Sequence, residues 1–226
     1  MKYDNIRDGI FKERPNRFIA KCLTDGGEQI CHVKNTGRCR ELLVPGTKVL
    51  LNYCPAANRK TEYDLISVYK GQTLINIDSN APNAVFGEFL RGGGFGFTPT
   101  LVKPECTHGD SRFDYYFEVG GRNVFAEIKG VTLEDNGILR FPDAPTERGR
   151  KHMLGLAECI RQGYEAWAVF IIQMKGAVFF EPNRSTDPDF AEALEAAAAA
   201  GVNILAYDCI TERDSLRMDS PVEIKL

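Results

Sequence analysis

The sequence has no long apolar run. Its longest stretch of this kind, AWAVFII at 166–172, is far shorter than the roughly 20 residues that a membrane-spanning helix needs. The first fifteen residues, MKYDNIRDGIFKERP, mix both signs of charge and lack the apolar segment of a secretory signal. We therefore expect a cytoplasmic protein with no membrane association.

An excess of positive charge is also missing. The chain carries 28 lysines and arginines against 31 aspartates and glutamates, which gives a formal net charge of -3. No global positive field would therefore draw the chain to nucleic acid or to an anionic membrane. Any nucleic-acid binding must come from a local basic patch, and its tightness at physiological salt is limited.

The cysteines form no C-x-x-C pair, although there are seven of them. This spacing argues against a zinc site or a redox motif, and it predicts reduced, mostly buried thiols. With 226 residues, 43% of them hydrophobic and 26% charged, the composition is that of an ordinary globular protein. Such a chain can bury a sizeable core in one large domain or two small ones.

The first 80 residues have the pattern of a small β-domain. Short alternating stretches are separated by turn signals at Asp25-Gly26-Gly27, Pro45-Gly46 and Lys70-Gly71. The five predicted strands are RFIAKCL, EQICHV, TKVLLNY, EYDLISVY and QTLINI. Five short strands in about sixty residues are typical of a small closed barrel.

After residue 80 the pattern alternates between helices and strands. We predict a short helix over 83–91 and a second helix that Thr146 caps and that runs to about Gln162. A third helix begins at Asp187-Pro188 and ends at Gly201. The runs AWAVFIIQ and VNILAYDC are predicted strands, so this half is α/β.

The segment DSRFDYYFEVGGRNVFAEIKGVTL, residues 110–133, predicts a β-hairpin. If Gly120-Gly121 is a two-residue loop, Asp114 falls opposite Glu127 and Arg112 falls opposite Lys129. A four-residue loop would keep these groups on one face, and a three-residue loop would need a bulge to do so. The opposite face is the predicted core face, made of Phe113, Tyr115, Phe117, Val124, Ala126 and Ile128.

The predicted neighbours Asp114 and Glu127 suggest a metal site. Opposed residues in such a ladder have Cβ atoms roughly 4.5 to 5.5 Å apart, close enough for two carboxylates to share a divalent cation. Lys129 beside them could orient a water or stabilise the charge that builds on a phosphate, which is the logic of metal-assisted phosphodiester cleavage. The alternative is a cross-strand charge network on a solvated sheet face, and spacing alone favours it.

Four segments resemble, in order, the signature blocks of the sugar fermentation stimulation protein A family of bacteria and archaea. The segments are NTGRCRELLVPG, SRFDYYFE, AEIKGVTL and FPDAPTERGRKHM. The chain departs from the family pattern at Lys34, where proline is frequent, and at Cys39, where methionine is frequent.

The resemblance implies an α/β (α+β) chain of two parts. An OB-like, nucleic-acid-binding barrel at 1–81 would precede a domain at 82–226 similar to PD-(D/E)xK nucleases, with a mixed sheet flanked by helices. Asp114, Glu127 and Lys129 fall at the positions of the nuclease motif, which implies catalytic roles and a bound Mg²⁺ or Mn²⁺. Members of the family are described as DNA-binding proteins linked to the regulation of sugar-utilisation genes.

Several further residues are candidates for the same site. Glu88, on the helix before the hairpin, could supply a further metal-binding acid, and Glu105 is a weaker rival; an exposed helical glutamate is the alternative for Glu88. Arg148, Lys151 and His152 lie on the first turns of a predicted helix, where they could hold DNA phosphates. The alternative for these three is a solvated basic helix start.

The barrel half also carries local basic density. OB barrels use such loops and strand faces to hold nucleic acid, and the alternative is an ordinary charged surface. The candidate DNA-binding residues here are Lys34, Asn35, Thr36, Arg38, Arg40, Arg59 and Lys60.

Three functions follow from these observations. The first is a DNA-binding protein with a divalent-metal-dependent, nuclease-like site, and the second is a non-catalytic DNA-binding regulator of sugar-utilisation genes. The third is an acidic protein-interaction module without nucleic-acid affinity. The sequence leaves open whether the DNA is single- or double-stranded.

Overall fold

Six strands occupy the first third of the chain, in a computed structural model that describes residues 1–35 and 37–226. They are β1 (Ile6–Asn16), β2 (Ile19–Thr24), β3 (Gly27–Val33), β4 (Lys48–Tyr53), β5 (Tyr63–Lys70) and β6 (Thr73–Asn76). The sheet order is β3-β2-β1-β4-β5-β6, and β3 also pairs in parallel with β5. Strands β1 to β5 therefore close into a barrel, as the sequence predicts.

The structure changes which strands form this barrel. Strand β1 is absent from the prediction because charged residues interrupt its alternation; Gly9 and Phe11 are its buried positions. The predicted strand QTLINI corresponds to β6, which extends the sheet as a hairpin on β5 and lies outside the closed ring.

Ten further strands follow the barrel and form two sheets. They are β7 (Leu101–His108), β8 (Ser111–Val119), β9 (Arg122–Val131), β10 (Leu133–Asp135), β11 (Ile138–Phe141), β12 (Glu165–Ile172), β13 (Phe179–Pro182), β14 (Asn203–Thr211), β15 (Leu216–Pro221) and β16 (Glu223–Ile224). The larger sheet has the order β15-β14-β12-β9-β8-β7, with β9, β12 and β14 parallel to one another. The smaller sheet has the order β10-β11-β13-β16.

Three helices cover the larger sheet: α1 (Ala81–Arg91), α2 (Glu147–Arg161) and α3 (Pro188–Ala199). Helix α1 packs on one face, and α2 and α3 pack on the other. The predicted caps of α2 and α3 are present, because Thr146 Oγ1 accepts a hydrogen bond from Gly149 N and Asp187 Oδ1 accepts one from Phe190 N. Within the described ranges, no helix has the length and apolar character to span a membrane.

The barrel and the larger sheet share a continuous apolar core. The same cluster contains Phe11 and Leu65 of the barrel and Leu156 and Phe170 of the second half. The predicted division between residues 81 and 82 falls in the first turn of α1. Because the apolar core includes residues from both sides of this position, the domain boundary stays a prediction.

The β8–β9 hairpin has the predicted register near its turn. The pairs run from Val119 with Arg122 to Tyr115 with Ala126. In the described part of the chain, Asp114 pairs with no residue of β9 or β7, and Glu105, which would face it from β7, has a φ of 53°. Strand β8 is therefore irregular at Asp114.

This irregularity corrects three predictions: Asp114 does not pair with Glu127 in the ladder, and Phe113 and Arg112 take other positions than an unbroken ladder implies. Phe113 leaves the face of Tyr115 and packs in the opposite layer against Phe125, with ring centroids 5.5 Å apart. Arg112 does not face Lys129 but pairs with Thr107 of β7, and its guanidinium hydrogen-bonds the exposed Glu105. The sequence pattern alone assumes an unbroken ladder, and the break moves both side chains.

Candidate active site and nucleic-acid interface

Asp114 is held by hydrogen bonds to both of its carboxylate oxygens. Oδ1 accepts a hydrogen bond from Asn83 Nδ2 of α1 at 2.9 Å, and Oδ2 accepts one from the backbone N of Ile128 at 2.7 Å. Burial raises the pKa of Asp114, and the neighbouring Glu127 carboxylate raises it further. The two acids predicted to face each other are thus close enough to repel.

Glu127 is a buried carboxylate with very different surroundings at its two oxygens. It is 2% exposed. Oε1 accepts a hydrogen bond from Lys129 Nζ and contacts His152 Nδ1 of α2. Burial would raise its pKa, but the hydrogen bond with His152 and the charge of Lys129 outweigh burial and lower the pKa. Among the described residues, Oε2 has no hydrogen-bond partner although it is buried.

This donor set fits a divalent cation of the magnesium type. No cluster of three or more His, Cys, Asp or Glu side chains suited to a metal occurs in residues 1–35 and 37–226. Mg²⁺, however, is usually held by one or two carboxylates, with water and substrate phosphates completing its shell. Asp114 and Glu127 supply that number of carboxylates, and Oε2 of Glu127 is an oxygen that no other described residue uses.

The other candidate acids have partners elsewhere. The Glu88 side chain is 59% exposed and forms an ion pair with the amino group of Met1 at 2.6 Å. Glu105 is bonded to Arg112 on the surface. The α1 residue that reaches the acid pair is Asn83, so a metal-binding role for Glu88 stays a prediction without a contact to support it.

The basic start of α2 divides into two environments. Arg148 and Lys151 are exposed, as a phosphate-binding role requires. His152 is buried and contacts Glu127, so it belongs with the acid pair instead of the exposed surface. The sequence places all three in the first two turns of one helix. Which of them faces the sheet depends on how α2 packs on it.

The candidate residues of the barrel also separate. Lys34 Nζ lies 2.8 Å from Asp64 Oδ2, and Arg59 hydrogen-bonds the same buried carboxylate. Asn35 uses its side chain within the fold, donating to Ile77 O at 3.0 Å and accepting from Gly37 N at 2.7 Å. These contacts give Lys34, Arg59 and Asn35 structural roles.

The remaining barrel candidates are Arg38, Arg40, Lys60 and Thr36. The first three are exposed, whereas Thr36 lies outside the described residues. Arg38 and Arg40 line a cleft of about 310 Å³ together with Arg14, Arg17, Asn16, Gly37 and Leu43. Arg14 and Arg17 are therefore functional candidates that the sequence analysis missed.

Arg14 organises this cleft through the backbone. Its Nη1 donates to Gly37 O at 2.9 Å and to Arg38 O at 2.8 Å. Its Nη2 donates to Arg17 O and Asn35 O, both at 2.7 Å. The guanidinium therefore joins the β1–β2 turn to Asn35, Gly37 and Arg38. No local sequence pattern predicts these contacts.

A second cleft, of about 200 Å³, lies between the barrel and the second half of the chain. Its lining includes Asn35 and Gly37 of the barrel, Asp143 of the segment before α2, and Gly130, which follows Lys129. Asp143 Oδ2 accepts a hydrogen bond from Arg38 N at 2.8 Å and so joins the two halves.

Two family models match the chain. The model described as "SfsA N-terminal OB domain" matches residues 13–77, and the one described as "Sugar fermentation stimulation protein RE domain" matches residues 80–215. The chain belongs to the sugar fermentation stimulation protein (SfsA) family. The resemblance seen in the sequence is thereby confirmed, and with it the predicted fold class.

Full-length SfsA relatives support this assignment. The sugar fermentation stimulation protein homologs of Desulfitobacterium hafniense and Clostridium beijerinckii are 54% and 49% identical over 226 residues. These alignments cover 100% of this chain and 99% and 100% of the relatives. Among solved structures, Pyrococcus furiosus SfsA in complex with Ca²⁺ superimposes with a TM-score of 0.90 at 27% identity, covering 100% of this chain and 98% of that one.

Proposed function

We propose that this protein binds DNA and cleaves phosphodiester bonds with a divalent cation, Mg²⁺ or Mn²⁺, held by Asp114 and Glu127. The observation that carries the proposal is the buried Oε2 atom of Glu127, which has no hydrogen-bond partner in the described residues. A buried carboxylate oxygen without a partner is costly, and a bound cation would remove that cost. The Ca²⁺ complex of Pyrococcus furiosus SfsA is in keeping with a cation site in this family.

The surrounding residues would perform the remaining tasks. A cation held at this site would supply Lewis acidity toward a phosphate and lower the pKa of a water. Asn83 and the Ile128 N–H fix the orientation of Asp114, and His152 fixes that of Glu127. Lys129 Nζ places a positive charge beside the pair, where it can stabilise negative charge that develops on a phosphate.

The arginine cleft supports the DNA-binding part of the proposal. Arg17, Arg38 and Arg40 surround a surface that meets the second cleft at Gly37, and that cleft extends to Gly130 beside Lys129. Phosphate contacts by arginine position a nucleic-acid chain without reading its sequence. A DNA chain that follows these clefts would pass from the barrel to strand β9, which carries Glu127 and Lys129.

A non-catalytic DNA-binding regulator is the second candidate. Its support is that Lys129 and His152 already bond Glu127 Oε1, so the acid is partly compensated by the protein itself. The relatives are named sugar fermentation stimulation protein homologs, a name that describes an effect on sugar use.

Incubation with labelled DNA tests the choice between these functions. Single- and double-stranded oligonucleotides are incubated with the protein in Mg²⁺, Mn²⁺ or EDTA, and both binding and cleavage are measured. We expect cleavage with the metals and none in EDTA, and we expect Asp114→Asn/Glu127→Gln to bind DNA without cutting it. Glu192→Gln, which removes an exposed acid of α3, is the matched control and should cleave like the wild type.

Binding without cleavage in every metal would contradict the catalytic proposal and support the regulator. No binding to either DNA at low salt would contradict both and leave the protein-interaction module.

A further inference from the structure

The β1–β2 turn presents an aromatic ring to solvent on a fixed backbone. Phe18 is 48% exposed. Asn16 Oδ1 accepts hydrogen bonds from Phe18 N at 2.9 Å and Ile19 N at 3.1 Å, and Phe18 O accepts one from Val33 N at 2.8 Å. The turn is thus anchored on both sides of the exposed ring, so the ring projects from a rigid position.

Arg17 lies beside the ring, and it also lines the arginine cleft together with Arg14, Arg38 and Arg40. A single exposed apolar residue is common on protein surfaces, so a binding role must be argued from the residues around it. The Arg17 guanidinium lies 5.3 Å from the centre of the Phe18 ring. In the described chain, none of Arg14, Arg17, Arg38 and Arg40 forms an ion pair with an aspartate or glutamate, although the net charge of the protein is -3.

These features match the needs of single-stranded nucleic acid. Proteins that bind single strands combine a positively charged groove along the phosphates with aromatic side chains on which unpaired bases stack. In duplex DNA the bases are already stacked inside the helix and cannot cover Phe18. OB barrels use the loop between their first two strands for such contacts, and the β1–β2 turn is that loop here.

We infer that the β1–β2 turn and the arginine cleft form a site for single-stranded nucleic acid, with Phe18 stacking on an unpaired base. Arg17, Arg38 and Arg40 contact the flanking phosphates. Arg14 is a positioning residue, because its guanidinium binds the carbonyls of Asn35, Gly37 and Arg38 and that of Arg17 in the turn. The inference rests on the proposed DNA binding and narrows its substrate to unpaired strands.

Binding measured by fluorescence anisotropy in EDTA tests this site without interference from cleavage. The probes are a labelled oligo-deoxythymidine and a labelled duplex of the same length. We expect the wild type to prefer the single strand, and Phe18→Leu to weaken single-strand binding about ten-fold while leaving duplex binding unchanged. Phe18→Trp keeps a stacking ring and should bind like the wild type. Val178→Ala removes another exposed apolar side chain, outside the barrel, and serves as the matched control.

The arginines are tested by the salt dependence of the same binding. Each of Arg17→Gln, Arg38→Gln and Arg40→Gln should reduce the slope of log affinity against log salt by about 0.7. Single-strand affinity that is equal in Phe18→Leu and the wild type, or equal wild-type affinity for single strand and duplex, would overturn this inference while leaving DNA binding intact. No affinity for either probe would overturn the proposed function as well.

Discussion

At the scale of single residues, two buried acids in this protein differ in how completely they are bonded. Asp64 is bonded at both oxygens, since Arg59 contacts both and Lys34 contacts Oδ2. Glu127 is bonded at Oε1 by two basic side chains and has no partner at Oε2 within the described residues. The first arrangement is complete without a ligand, whereas the second favours a cation. We therefore assign Asp64 to stability and Glu127 to the proposed site.

Asp64 should make the stability of the protein depend on acid pH. Burial would raise its pKa, but hydrogen bonds from Arg59 and Lys34 outweigh burial and lower the pKa from 3.8 to about 2. The unfolded chain therefore takes up a proton near pH 4, where the folded state does not. The resulting stability is present above about pH 4 and is lost as the pH falls toward about 2, and it amounts to about 2 kcal/mol.

Urea unfolding between pH 5 and pH 2 measures this contribution. Asp64→Asn should lose about 2 kcal/mol less than the wild type over that range. Asp25→Asn removes an exposed acid of the barrel and should follow the wild type. Equal pH dependence in Asp64→Asn and the wild type would show that Asp64 is not the titrating group.

At the residue scale, the sequence indicates only those arrangements that local contacts determine. The sequence brought Asp114, Glu127 and Lys129 to one end of a hairpin, since turn chemistry and alternation act over a few residues. The sequence does not predict that His152 contacts Glu127, or that Arg14 binds the carbonyls of Asn35, Gly37 and Arg38. Those contacts depend on how distant segments pack, which no periodicity encodes.

At the scale of elements, Gly37 connects the two clefts, because it lines both. Arg14 donates hydrogen bonds to Gly37 O and Arg38 O, and Asp143 accepts one from Arg38 N. A Cβ atom at Gly37 would lie 2.6 Å from Asp143 Oδ2 and 2.8 Å from Asn35 Oδ1. Close packing at position 37 therefore requires glycine, and a larger residue there would displace Asp143.

Gly37→Ala should disturb this junction. We expect a loss of about 1–2 kcal/mol in unfolding free energy, because the added methyl group is overpacked, and a weaker affinity for DNA. Gly26→Ala is the matched control, since its Cβ would have no atom nearer than 3.7 Å. Denaturant unfolding and DNA titration of both variants check the prediction. Wild-type stability and affinity in Gly37→Ala would mean that the surroundings of Gly37 accommodate the methyl group, and that Gly37 does not position the clefts.

The elements themselves were predicted in proportion to the strength of their local signals. Thr146 and Asp187 cap their helices as expected, because a side-chain cap acts within three residues. Strand β1 was missed because it is held by pairing with β2 and β4 and not by its own apolar pattern. The break at Asp114 was missed because it depends on the hydrogen bond from Ile128 N.

At the scale of the whole molecule, side-chain contacts join the barrel to the second half of the chain. Gln173 Nε2 donates to Asn76 Oδ1 at 2.9 Å and to Asp78 O at 3.1 Å, and Asp8 pairs with Arg213 at 2.8 Å. A cation bound at Asp114 and Glu127 should therefore stabilise the folded state of the whole protein.

The melting temperature as a function of metal concentration is the most direct test of the central claim, that Asp114 and Glu127 bind a divalent cation. A ligand that binds only the folded state stabilises it by mass action. Adding Mg²⁺, Mn²⁺ or Ca²⁺ to metal-free wild type should raise its melting temperature by about 5–10 °C near saturation, and Asp114→Asn/Glu127→Gln should show no such rise. An equal response in wild type and double variant, or no response in the wild type, would contradict the account.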